Sequence, residues 1–164
     1  MSNYTAMVNL HPATVHFPIA LLLLANGAGL LYLYWRATES LRTLTWWPMV
    51  LGWLSVPVAL LTGLLAQSGL PPQAPYRAIL NWHITTGLLL WALYGLLLYW
   101  RWIHQGKQRR QARLKAGTVA LDLLDYPPAR WQLTLLFLIG ILLIVVSGWI
   151  GGKLVYEWGV NVRL

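Results

Sequence analysis

The sequence predicts an all-α integral membrane protein in which four transmembrane helices form a bundle. Its 164 residues are 58% hydrophobic and only 10% charged, whereas a soluble domain is about half apolar and about a quarter charged. Four stretches have the roughly 20 mostly apolar residues that a helix needs to cross a bilayer. Tryptophan and tyrosine gather at the ends of these stretches, which is typical of the aromatic belts at membrane surfaces.

The first two spans are uncharged apolar runs. The first covers about residues 15–35 and is followed directly by Arg36. Asn26 lies inside it, and because hydrocarbon offers an amide no partner, we expect its side chain to hydrogen-bond across a helix interface. The second span covers about residues 45–67 and begins with a pair of tryptophans.

The third span covers about residues 82–100 and the fourth about residues 131–151. A basic loop, residues 101–130, joins them, and no connection is long enough for a second folded domain. We therefore expect one transmembrane domain over residues 1–164. The fourth span also contains two overlapping pairs of small residues with the spacing of closely packed membrane helices. These pairs are Ser147 with Gly151 and Gly148 with Gly152.

The basic residues predict the orientation in the membrane. There are 12 Lys and Arg residues against 4 Asp and Glu, for a net charge of +8. None precedes Arg36, whereas seven of them lie in residues 101–130. By the positive-inside rule the loops after the first and third spans are cytoplasmic. Both termini then lie on the periplasmic or lumenal side of a bacterial inner or thylakoid-type membrane.

The basic loop has two interpretations. Residues 105–115 are basic and compatible with a helix, and we expect them to mark topology by lying on anionic lipid headgroups. The alternative is a docking site for an acidic partner. Nucleic acid is not an expected partner, because the few charges of this chain are explained by topology.

Two histidines at matching depth on different spans are the main chemical signal. His16 lies at the outer start of the first span and His83 at the outer start of the third. Haem b can be held between two neutral imidazoles on facing helices of a bundle. We therefore predict His16 and His83 as axial ligands in a small electron-transfer subunit. The residues expected around the ring are Gly87 for close approach, Phe17 and Trp82 for stacking, and Arg77 for the propionates.

Other roles for the histidines remain open. His11 precedes Pro12, so we expect extended chain there, and it could fold back to form a copper or zinc site with His16 and His83. Alternatively, the chain is a cofactor-free accessory subunit of a larger respiratory or photosynthetic complex, with structural or chlorophyll-ligating histidines. The absence of cysteine excludes thiolate metal sites and covalently attached haem, and nothing indicates an enzyme acting alone.

Both ends of the chain resemble one family. Residues 11–18, HPATVHFP, are similar to its opening signature, and residues 151–156, GGKLVY, to its closing signature. This is the bacterial four-helix membrane family catalogued as domain of unknown function twenty-two thirty-one, whose layout is similar to that of four-helix b-type cytochromes. Some relatives are joined to Rieske or cytochrome c domains, which implies a redox setting on the outer side. This chain departs from those relatives in having no such domain, so we expect any electron partner to be a separate subunit.

Overall fold

The computed structural model describes residues 2–68, 70–115 and 121–160, and for residues 2–10 it describes the helical backbone alone. The described residues form four long helices and no strand, which confirms the predicted all-α class. Each helix is long and apolar enough to cross a membrane. They are α1 (Ser2–Tyr34), α2 (Glu39–Ala66), α3 (Arg77–Leu114) and α4 (Arg130–Tyr156).

The four helices form a ring in which each packs against its neighbours along the chain. α1 packs along α2, α2 contacts α3, α3 contacts α4, and α4 returns to α1. α1 and α3 therefore face each other across the ring. We call the end of the bundle that carries residues 35–38 and 101–129 the basic end. The opposite end, with His11 and the connection 67–76, is the histidine end.

A polar contact lies inside the apolar core. Asn26 of α1 is fully buried, and its Nδ2 donates to the Tyr94 hydroxyl of α3 at 2.5 Å. This confirms that the amide finds a partner across a helix interface. Gly140 of α4 makes the contact possible, because a Cβ there would overlap the tyrosine hydroxyl. Three helices are thus fixed against one another at one point.

α3 continues well beyond the predicted end of the third span. Its 38 residues give a length of about 57 Å at 1.5 Å per residue, whereas a bilayer with its headgroups is about 40–45 Å thick. Residues 105–114 belong to this same helix. The basic segment is therefore a continuation of α3 and not a separate element.

Asp122 ties the segment between α3 and α4 to the basic end of the bundle. Its carboxylate accepts hydrogen bonds from Trp46 Nε1 and Gln105 Nε2, both at 3.0 Å, and forms an ion pair with Arg101 at 3.2 Å. It also caps its own segment by accepting from the backbone N–H of Leu124 at 3.1 Å. The leucine side chain is buried, so polar and apolar contacts hold the segment together.

Asp125 makes a second attachment on the other side of the ring. It accepts from the Tyr32 hydroxyl of α1 at 2.5 Å and pairs with Arg42 of α2 at 2.9 Å. The same guanidinium reaches Glu39 at 2.6 Å across an exposed surface. Each of the four helices therefore contacts Asp122, Asp125 or the short segment between α3 and α4.

Gly159 ends α4 with a left-handed residue, at φ +58°. Its N–H donates to the carbonyl of Val155, and the next N–H, of Val160, donates to the carbonyl of Leu154. The first of them is the 5→1 bond of an αL C-cap, a motif that commonly ends helices at glycine. The Val160 and Leu154 side chains pack in one small apolar cluster at the histidine end.

Candidate histidine site

His11 lies within α1, which corrects the expectation of extended chain before Pro12. Proline lacks an N–H and disfavours a helical conformation at the preceding residue, yet α1 runs without a break from Ser2 to Tyr34. The His11 carbonyl still finds a local donor, the Thr14 hydroxyl, at 2.9 Å. Contacts with α2 hold the side chain in place, so tertiary packing overrides the local preference.

The His11 ring is anchored on α2 through Nδ1. This atom lies 3.0 Å from the carbonyl oxygen of Ala59 and 3.2 Å from the Thr62 hydroxyl. The Thr62 hydroxyl in turn lies 3.0 Å from that of Thr14. Since a carbonyl can only accept, the proton of the neutral ring is on Nδ1, and Nε2 keeps a free lone pair.

The His83 ring is anchored on α4 in the same way. Its Nδ1 lies 3.2 Å from the carbonyl oxygen of Ser147, so its neutral form also carries the proton there. Among the residues that the structure describes, no group hydrogen-bonds to Nε2 of either His11 or His83. Neither Nε2 is completely enclosed by protein. Both rings therefore offer an open nitrogen.

A glycine lies one helical turn after each carbonyl that anchors a ring. Gly63 follows Ala59 in α2, and Gly151 follows Ser147 in α4. A Cβ on the first would stand 2.9 Å from Cε1 of the α1 histidine, and one on the second 3.0 Å from Cε1 of the α3 histidine. Because Cβ atoms tilt toward the helix N-terminus, a side chain there would cover the carbonyl. The α1–α2 pair and the α3–α4 pair therefore hold a histidine in the same way, each beside a carbonyl and the glycine that follows it by one turn.

The two anchored rings meet across the bundle. The ring centroids of His11 and His83 lie 6.2 Å apart, and their planes are nearly perpendicular at 81°. Two metal–nitrogen bonds of about 2.0–2.1 Å and the half-widths of two five-membered rings add up to about 6 Å. We call these two residues the histidine pair. This centroid separation is compatible with two imidazoles on opposite sides of one metal ion.

His16 is not the residue that the structure brings beside His83. It is exposed, and five residues along a helix place it about 140° around α1 from His11. The three-histidine arrangement therefore does not form. Within residues 11–68, 70–115 and 121–160, no three His, Asp or Glu side chains group closely enough to hold a metal ion.

The accessory residues predicted from the sequence have other contacts in the structure or are exposed. A Cβ on Gly87 would stand 2.9 Å from Leu60 Cδ2, so this glycine makes room for a leucine of α2. Phe17 and Trp82 are 61% and 64% exposed on the outside of the bundle. The Arg77 guanidinium donates to two carbonyls of the connection before α3, at 2.5 and 2.9 Å.

The glycines that admit the rings were missed as site residues. The sequence indicates Ser147 and Gly151 as a helix-packing pair, and Ala59 and Gly63 have the same spacing in α2. Their shared spacing, a small residue followed by glycine four positions later, is visible in the sequence. What the sequence does not show is that an imidazole fills the space that each glycine leaves.

The architecture defines the class: a polytopic α-helical membrane protein with four spanning helices and paired histidines at one end. The chain belongs to the family described as "Predicted membrane protein (DUF2231)", whose model matches residues 7–164. This confirms the family indicated by the two terminal signatures. Searches of curated proteins and of solved structures gave no match. The family description names no activity, so the functional argument rests on the histidine pair.

Proposed function

We propose that this protein is a small membrane-embedded electron-transfer subunit that binds haem b through His11 and His83. The observation that carries the proposal is the histidine pair itself. Two rings on facing helices lie 6.2 Å apart, each with an open Nε2 and an anchored Nδ1. The sequence prediction of paired axial histidines is kept, but with His11 in the place of His16.

The anchoring of the two rings supports this proposal. A metal-ligating histidine almost always donates its second ring nitrogen to a carbonyl or carboxylate, which fixes the tautomer and the ring orientation. The carbonyls of Ala59 and Ser147 have that role here. Haem held by two histidines supplies reversible one-electron chemistry. The protein's own contribution is to hold both rings, with the correct nitrogen free, in an apolar bundle.

The location of the pair suggests where electrons would be exchanged. If the basic end is cytoplasmic, as the positive-inside rule predicts, the histidine end faces the periplasm or lumen. The electron partner would then be a neighbouring membrane subunit or a redox protein on that side. Lipids surround the rest of the bundle, whose outer surface is rich in exposed leucine.

The test is the optical spectrum of the purified full chain, expressed in cells supplied with a haem precursor. We expect a reduced-minus-oxidised spectrum with a b-type α band and close to one haem per chain. A protein that is folded, by circular dichroism, but shows no α band would overturn the haem proposal. Elemental analysis of the same sample would then show whether the histidine pair holds copper or zinc.

One observation favours a second role, that of an accessory subunit. A Cβ on Gly148 would meet no atom within 4 Å, so α4 exposes bare backbone to its surroundings. Such a surface admits the close approach of another transmembrane helix. This role predicts a larger complex on mild-detergent gels with no bound metal or pigment, and Gly148→Leu should dissociate that complex.

Alanine at Gly63 or Gly151, the glycines that leave space for the two rings, should weaken haem binding. A Cβ at Gly63 or Gly151 stands too close to an imidazole, so the ring must move and lengthen its Nδ1 hydrogen bond. We expect Gly63→Ala and Gly151→Ala each to lower haem affinity by about 10–100-fold, the usual effect of losing an outer-shell partner. The measurement is haem titration of the apoprotein.

Gly148→Ala is the matched control for these two variants. It adds the same methyl group to α4 where nothing lies within 4 Å, so its haem affinity should equal that of the wild type. Equal affinities in all three variants would show that the glycines do not position the rings.

A further inference from the structure

A groove lies on the extension of α3 just beyond the aromatic belt of the basic end. Trp102, Ile103 and Gly106 contribute to its mostly apolar floor, and the basic residues of its rim are Lys107, Arg109 and Arg110. Gln105 also lines the groove, and its Nε2 donates to Asp122, the carboxylate that pairs with Arg101. The groove therefore lies beside this contact, and its three cationic residues are exposed.

The three rim cations have no acidic partner within the described residues. The acidic residues Glu39, Asp122 and Asp125 pair with Arg42 and Arg101 instead. Lys107, Arg109 and Arg110 are exposed and stand next to an apolar floor. A ligand that complements this surface carries negative charge and an apolar part side by side.

The groove is at the right height for a lipid. Lys107 is five residues beyond Trp102, or about 7.5 Å along the helix, and a headgroup layer is about 5–7 Å thick. Helical side chains lean toward the N-terminus, which here is toward the membrane. The cationic groups thus return to the level of lipid phosphates, while Trp102, which is 71% exposed, faces the upper acyl chains.

We propose that this groove binds one anionic phospholipid from the leaflet at the basic end. Lys107, Arg109 and Arg110 neutralise the phosphate headgroup, and the floor around Gly106 takes the glycerol and the upper acyl chain. A lipid fits better than an acidic protein, because the apolar floor continues into the lipid-facing surface of α3 at Trp102 and the exposed Tyr99. The proposal does not depend on haem.

The experiment counts bound lipids by native mass spectrometry of the purified full chain, equilibrated with equal amounts of phosphatidylglycerol and phosphatidylcholine. We expect the wild type to retain phosphatidylglycerol preferentially, by about fivefold for each engaged cation. Lys107→Gln with Arg109→Gln and Arg110→Gln should bring the two lipids to parity. Arg36→Gln with Arg113→Gln removes exposed basic charge from the same end outside the groove, and should keep the preference.

A second variant separates a groove from diffuse positive charge. Nothing lies within 4 Å of a Cβ on Gly106, and leucine is a better helix former than glycine. Gly106→Leu therefore fills the floor and keeps every charge and the helix. We expect it to lose the preference for phosphatidylglycerol. The proposal is overturned if Gly106→Leu retains that preference, or if the wild type shows none, as expected when an acidic protein is the natural partner of this face.

Discussion

Replacing His11 with alanine should abolish haem binding, whereas the same change at His16 should leave it intact. Both residues lie on α1, but only His11 is anchored beside His83. Removal of an outer-shell partner lowers metal affinity by about 10–100-fold. Removal of a ligand itself should lower haem affinity by more than that. We therefore expect His11→Ala to lower haem occupancy at least tenfold, and His83→Ala to do the same. The measurement is the amplitude of the b-type α band per chain.

His16→Ala is a strict control, because it removes the same side chain from the same helix, five residues away and exposed to the surroundings. A folding defect is separated from ligand loss by His11→Gly, to which added imidazole should restore the α band. If His16→Ala loses haem while His11→Ala keeps it, the axial ligand on α1 is His16 and the proposed pair is wrong.

The hydrophobic pattern was sufficient to predict the fold. Spans are set by apolar length, and each predicted span lies in, or within one residue of, a helix that can cross a membrane. The extension of α3 could not be found in this way, because residues 101–114 are mostly polar and helix continuity there does not depend on burial. The small 3₁₀ turns at 123–125 and 127–129 were also missed, since they are held by Asp122 and Asp125 from a distance.

The candidate site was predictable in kind but not in detail. The matching depth of histidines on the first and third spans predicts a histidine of α1 near His83, and the structure places His11 there. The choice between His11 and His16 depended on whether the helix continues through Pro12. Local rules favour a break before proline. In the structure the helix continues, and His11 contacts Ala59 and Thr62 on α2. These contacts join residues far apart in the chain, so local sequence rules do not reveal them.

Asp122→Ala should be the most destabilising single change at the basic end. The side chain of Asp122 is only 9% exposed, and it accepts hydrogen bonds from α2, α3 and its own segment. Its removal leaves Trp46 Nε1 without an acceptor and Arg101 without its counter-ion. Breaking a buried ion pair from one side costs about 3–5 kcal/mol. Because Arg101 is partly exposed at 25%, we expect Asp122→Ala to lower the free energy of unfolding by about 2–3 kcal/mol.

This loss should lower the midpoint of thermal unfolding in detergent by roughly 5–10 °C. Trypsin should also cleave between α3 and α4 faster, because the freed segment adjoins several basic residues. Glu39→Gln is the control, since this carboxylate pairs with Arg42 at a side chain that is 76% exposed, and exposed pairs contribute about 0–1 kcal/mol. If Asp122→Ala unfolds and is cleaved like Glu39→Gln, the aspartate does not hold the segment. The packing of the buried side chains of Leu123 and Leu124 would then be what holds the segment on the four helices at this end.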